Sequence, residues 1–133
     1  MYSVTKRIDF CYGHRLLDYD GICKHPHGHN AVAEIEVRTG TLDNRNMVCD
    51  FSDIKRIVKG WIDRALDHKM LLRHDDPLVK SLKELGEPVY ICESNPTVEH
   101  IAQLIYRHAA KEGLPVVRVK VWETPTSYAE YGE

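Results

Sequence analysis

The opening residues of the chain alternate between apolar and polar. Tyr2, Val4, Ile8, Phe10 and Tyr12 share one parity, while Ser3, Thr5, Arg7 and Asp9 occupy the other. A period of two marks a strand with one buried face. The alternation resumes after a histidine-rich stretch, where Ala31, Ala33, Ile35 and Val37 oppose Glu34, Glu36 and Arg38, before Gly40 and Asp43-Asn44-Arg45-Asn46 break it. Two antiparallel strands joined by a long loop are expected. The period then changes: Ile54, Ile57, Val58, Trp61, Ile62, Ala65 and Leu66 recur at three- and four-residue spacing, with Asp50, Ser52 and Asp53 placed to cap the start of a helix. A polar stretch marked by Pro77, Gly86 and Pro88 follows. Asn95-Pro96-Thr97 then opens a second helix with Val98, Ile101, Ala102, Ile105 and Ala109 on one face, closed by Gly113 and Pro115. Val117, Val119 and Val121 predict a third strand, with Arg118, Lys120 and Trp122 on its other face. After Pro125, the segment Tyr128-Ala129-Glu130-Tyr131 predicts a short fourth.

The expected order is ββααββ. Strands at both ends with helices between them predict an α+β fold, an antiparallel four-stranded sheet with two helices packed on one face. The 133 residues suit a single domain, 1–133.

Composition narrows the function. A net charge of -2 and a sequence pI near 6.4 supply no broad positive field, so neither nucleic acid nor an anionic membrane is an expected partner, and a small polar substrate is. No signal peptide or membrane-spanning apolar run is read in the chain. Cys11, Cys23, Cys49 and Cys92 are scattered, with no C-x-x-C pair, as in a reduced, cytoplasmic protein.

The densest chemistry lies in Cys23-Lys24-His25-Pro26-His27-Gly28-His29. His27 and His29, two apart, project to one side if that stretch is extended, and His14, just past the first strand, comes beside them in an antiparallel return. Three neutral imidazoles suit a zinc ion and leave a fourth position open, the arrangement of a catalytic site; His25 is a rival ligand by spacing. Cys23 is near enough for such a cation to favour its thiolate. Asp67-His68 directly follows the first helix and offers a proton relay, or helix C-terminal electrostatics. Glu123 continues the parity of Val117, Val119 and Val121, so its carboxylate points toward the apolar side and needs a partner, such as a ligand with adjacent N–H donors. Thr97 and Glu99 are candidate ligand contacts that capping and dipole complementarity explain equally. Lys24, His25 and Arg15 are candidates for phosphate, with surface placement as the alternative.

These residues sit in a longer series of landmarks: FCYGHRL from Phe10, CKHPHGHN from Cys23, MVCDFSDIK from Met47, LDHKML from Leu66, NPTVEHIA from Asn95 and WETPTSYAEY from Trp122. The series spans nearly the whole chain and resembles the 6-pyruvoyl-tetrahydropterin and 6-carboxy-tetrahydropterin synthase family of the tunnelling fold. The resemblance implies that His14, His27 and His29 hold Zn2+, that Cys23 is the proton-accepting thiol and that Asp67 with His68 activate it. It further implies that Glu123 anchors the pterin, whose 2-amino and ring N–H groups supply the donor pair its carboxylate lacks. The implied substrate is 7,8-dihydroneopterin triphosphate. The carboxy type releases triphosphate and acetaldehyde on the route to queuosine and other deazapurines; the pyruvoyl type keeps all three side-chain carbons. The short chain looks like the bacterial carboxy members. A non-catalytic zinc- or pterin-binding module is the alternative from another class. Dihydroneopterin aldolase variants carry Glu at or beside the cysteine position, a pattern from which Cys23-Lys24 departs, and His100 stands where Asn is common. The resemblance also implies a homohexamer, a dimer of trimers, with active sites at subunit boundaries.

Overall fold

The computed structural model describes residues 1–133. The first alternating run forms β1 (Tyr2–His14) and the second forms β2 (His27–Thr39), paired antiparallel over their whole length from Tyr2 opposite Thr39 to His14 opposite His27. On the buried face, Ile8, Phe10 and Tyr12 meet Ala31, Ala33, Ile35 and Val37. His14 is the last residue of β1 rather than a loop residue, and it continues that face.

The helix expected after Asp50 spans 51–65 (α1) in three pieces: α-helical Phe51–Ile54, π-helical Lys55–Lys59 and α-helical Gly60–Ala65. The Asp50 carboxylate accepts from the Ser52 backbone N–H at 2.8 Å, which starts it as the capping pattern predicts. Ile54, Val58, Ile62 and Leu66 are fully buried against the sheet. The second long helix, formed by Val98–Lys111, buries Ile101, Ala102, Ile105 and Ala109 in the same core.

Between these helices the structure corrects the expected four-stranded antiparallel sheet. The stretch read as a connection contains β3 (Lys69–Arg73), α2 (Leu78–Glu84) and β4 (Val89–Cys92), so Val98–Lys111 is α3. With β5 (Val116–Thr124) and β6 (Ser127–Tyr131), the sheet has six strands in the order β4-β3-β1-β2-β5-β6. It is mixed, because β3 runs parallel to both β1 and β4. The two added strands lack a period of two. Lys69–Arg73 is a short apolar run with basic ends, and Val89–Cys92 is too short to alternate.

A second correction concerns β5. The strand shifts register opposite Glu36/Val37, so Val116 turns into the core and Val117 is only half-buried; below the shift, Val119 and Val121 keep the expected inward parity.

Arg15 is not free for phosphate. Its guanidinium forms a two-pronged ion pair with Asp76, whose carboxylate is buried and also accepts from the Leu78 backbone N–H at the start of α2. Hydrogen bonding from Arg15 holds the Asp76 carboxyl below the usual carboxylate range against the opposing effect of burial. Its folded value therefore lies below the unfolded one. The stabilisation is complete above about pH 4 and is lost as pH falls through the folded value. Arg15→Ala, which strands a buried charge, is expected to cost about 2–4 kcal/mol at neutral pH in urea unfolding, with the deficit shrinking as acid protonates Asp76.

Candidate functional site

Strand register brings the histidines together. His14 lies directly opposite His27, and His29 lies opposite Tyr12, one pleat further along the same face. The three ring centroids are 4.5, 5.1 and 4.9 Å apart, with the rings roughly perpendicular. One ligand nitrogen from each falls within 4.8 Å of the other two.

Hydrogen bonds to His14 and His27 set which ring nitrogen of each faces the cluster. His14 Nδ1 lies 2.7 Å from the Pro96 carbonyl oxygen, and His27 Nδ1 lies 2.7 Å from that of His25. A carbonyl can only accept, so each Nδ1 carries the proton and each Nε2 presents a lone pair. Those two Nε2 atoms face each other 3.0 Å apart. Two lone pairs at that distance repel unless a proton or a cation lies between them. Burial pushes His14 and His29 toward lower pKa, in favour of the neutral form that ligates metal. Backbone carbonyls that orient ligating imidazoles are the usual outer support of a metal site. The donor set therefore fits a divalent cation such as zinc. The His25 ring is exposed and outside the trio; what this residue contributes is its carbonyl.

Glu123 reaches this cluster from β5. Its Oε1 lies 3.1 Å from His29 Nε2 and 3.5 Å from His14 Nε2. The His29 contact is close but poorly aligned, leaving that buried nitrogen without a hydrogen bond. Tyr12 packs edge-on against His14, and its buried hydroxyl also lacks a partner. Burial, and then the Glu123 carboxylate, raise the Tyr12 phenol above its ordinary pKa. Unsatisfied buried polar atoms at one spot are costly unless a ligand completes them.

Tyr12, the Pro96 carbonyl and the His25 carbonyl are the parts of the site that sequence reasoning missed. The parity of Tyr12 with His14 was the available signal for the first. Nothing in a sequence marks a carbonyl. The Asn95 side chain accepts from the Leu17 N–H and donates to the Leu17 carbonyl, holding the approach to α3, and with it Pro96, against the segment after His14.

Thr97 immediately precedes α3 and Glu99 stands on its first turn. The Thr97 hydroxyl accepts from the His100 backbone N–H at 3.2 Å as the helix cap, and Glu99 is exposed. Asp67 and His68 form a second cluster on the other side of β1. His68 Nδ1 lies 2.7 Å from Asp67 Oδ2, the Asp67 Oδ1 accepts from the Cys11 backbone N–H at 2.9 Å, and the His68 N–H donates to the Cys11 carbonyl at 2.8 Å. Cys23 is half-buried in the short 3₁₀ turn Ile22–Lys24 before β2, and its sulfur belongs to neither cluster. A groove of about 600 Å³ runs past Cys11, Gly13, His27, Asn30 and His68. No helix is long and apolar enough to cross a membrane.

Known proteins resemble this chain along nearly its whole length. The family model described as 6-pyruvoyl tetrahydropterin synthase matches residues 3–133. The 6-carboxy-5,6,7,8-tetrahydropterin synthase of Rickettsia bellii is 35% identical over 98% of this chain and 99% of its own length. The protein of the same name from Haemophilus influenzae is 32% identical over the full length of both chains. Among solved structures, an uncharacterized protein from Wolinella succinogenes superposes with a TM-score of 0.83 at 27% identity, covering 99% of this chain and 98% of that one. The Caenorhabditis elegans 6-pyruvoyl tetrahydropterin synthase, at 22% identity, shares the fold with a TM-score of 0.74 over 99% of this chain and 95% of its own. With the match spanning all but the first two residues, the chain belongs to the 6-pyruvoyl tetrahydropterin synthase family of pterin enzymes.

Proposed function

We propose that this chain is a zinc-dependent lyase, a 6-carboxy-5,6,7,8-tetrahydropterin synthase converting 7,8-dihydroneopterin triphosphate with loss of triphosphate and acetaldehyde. The observation that carries the reading is the end-to-end likeness to relatives of that name, in a chain whose three histidines converge. His14, His27 and His29 hold the metal. When bound, zinc supplies a Lewis acid that polarises oxygen on the substrate side chain.

The residues of the chain do the rest. Glu123 binds the pterin through its 2-amino and ring N–H groups, in a paired hydrogen bond of the kind a carboxylate makes with a guanidinium. Its place beside the trio, on a rigid strand, supports that role. Cys23 takes a proton from the substrate side chain, and His68, backed by Asp67, moves protons to and from the reacting carbons. Thr97 and Glu99 line the approach at the start of α3. Because Cys23 joins neither cluster within one chain, the reading places the thiol of one copy against Asp67 and His68 of another. The terminal strands β4 and β6 support such assembly, since each leaves one edge unpaired. The proposed state is a homohexamer of single-domain subunits in the cytoplasm, serving queuosine synthesis.

The test is incubation of the zinc-loaded protein with 7,8-dihydroneopterin triphosphate and identification of the products. Acetaldehyde with 6-carboxy-tetrahydropterin is expected. A pyruvoyl product that keeps all three carbons would reassign the chain to the other branch of its family. No conversion by metal-replete protein would make it a binding module.

A further inference from the structure

Asp67 and His68 already have a thiol beside them in their own chain, and it is not Cys23. The Cys11 sulfur, an Asp67 carboxylate oxygen and a His68 ring nitrogen lie within 4.8 Å of one another. Two backbone hydrogen bonds hold the group together: the Cys11 N–H donates to Asp67 and the Cys11 carbonyl accepts from the His68 N–H. His68 adopts a left-handed backbone conformation with φ of 60° as the chain leaves α1 and turns into β3, parallel to β1 at Tyr12–His14. Cys11 projects from the face of β1 opposite the buried Phe10 and Tyr12, is half-buried, and lines the groove of about 600 Å³ together with His68.

We propose that Cys11, His68 and Asp67 form a thiol–imidazole–carboxylate relay, making Cys11 a second nucleophilic thiol that takes small, neutral carbon electrophiles entering the groove. The step balances within the chain. Asp67 accepts the Nδ1–H of His68, leaving Nε2 as the base, and the 78% exposed ring is free of packing that would stop it turning toward the thiol. Nε2 takes the thiol proton, sulfur forms a bond to the electrophilic carbon, and the leaving group departs with the bonding pair. With an α-haloamide, the leaving group is halide and the product is a stable thioether.

The other cysteines provide internal references. Burial pushes the Cys92 thiol up to about 12, and Cys49 is also raised, first by burial and then by nearby Asp53 and Asp50. Neither has a His–Asp pair beside it.

The experiment is timed alkylation of the reduced full-length protein with iodoacetamide, without substrate, read by peptide mass spectrometry at each cysteine. Cys11 is expected to react at least about tenfold faster than Cys49, and His68→Asn is expected to slow it by about tenfold while Cys49 stays the same. Asn tolerates the left-handed backbone at this position, and an unchanged melting temperature checks that the fold survives. A Cys11 rate equal to that of Cys49, or one untouched by His68→Asn, overturns the proposal. Loss of rate at Cys23 alone would assign the pair to Cys23 and overturn it as well. The readout needs no turnover, so it stands or falls separately from the proposed reaction.

Discussion

Replacing His27 with alanine is expected to abolish high-affinity zinc binding and, with it, turnover. His27 is the cleanest of the three to remove. It is half-exposed at the start of β2, whereas His14 is buried and tied to Pro96. Losing an orienting partner of a metal ligand costs about 10–100-fold in affinity, so losing the ligand itself should cost at least about a hundredfold. Metal content after purification reads this directly. Thermal unfolding gives an independent reading: a ligand at about a thousandfold its Kd stabilises the folded state by about 4 kcal/mol. Added zinc should therefore raise the melting temperature of the parent protein clearly and that of His27→Ala hardly at all. Equal zinc content and an equal zinc-induced shift in the two proteins would remove the trio from the metal site, and the proposed chemistry with it.

Cys23→Ser should separate binding from chemistry. Its sulfur lies outside the histidine cluster, so the variant is expected to keep zinc and its zinc-dependent melting temperature. Turnover of 7,8-dihydroneopterin triphosphate should nevertheless fall by about 10²–10⁴, the usual worth of a positioned proton acceptor. The loss should appear in kcat more than in KM, because the thiol acts on the reacting carbons rather than on the pterin ring. Full activity in the zinc-loaded variant would end the proposed role of Cys23. Zinc loss would mean that the ligand set is wrong. Comparison with Cys11→Ser under the same conditions shows which thiol the reaction uses.

Much of this protein can be read along the chain, because its long elements carry their environment as a period. Thirteen-residue strands with one wet face alternate, and helices with one buried stripe repeat every three to four residues. The histidine trio was legible for the same reason. His27 and His29 share a parity, and once β1 and β2 form an antiparallel pair, His14 arrives opposite His27. The inward direction of Glu123 also followed from parity, and the caps at Asp50 and Thr97 from residue type at the helix starts.

Tertiary structure alone decided the rest. Strands β3 and β4 are stabilised by parallel pairing with distant partners, and five- and four-residue segments are too short to display a period. Arg15 looked like a surface cation until Asp76, 61 residues away, was folded against it. The tautomers of His14 and His27 rest on backbone carbonyls, which every residue possesses and no sequence distinguishes. The placement of Asp67 and His68 beside Cys11, rather than Cys23, depends on where β3 joins the sheet. Residue types and their local spacing determined which groups can bind metal or move protons; only long-range strand pairing decided which of them meet.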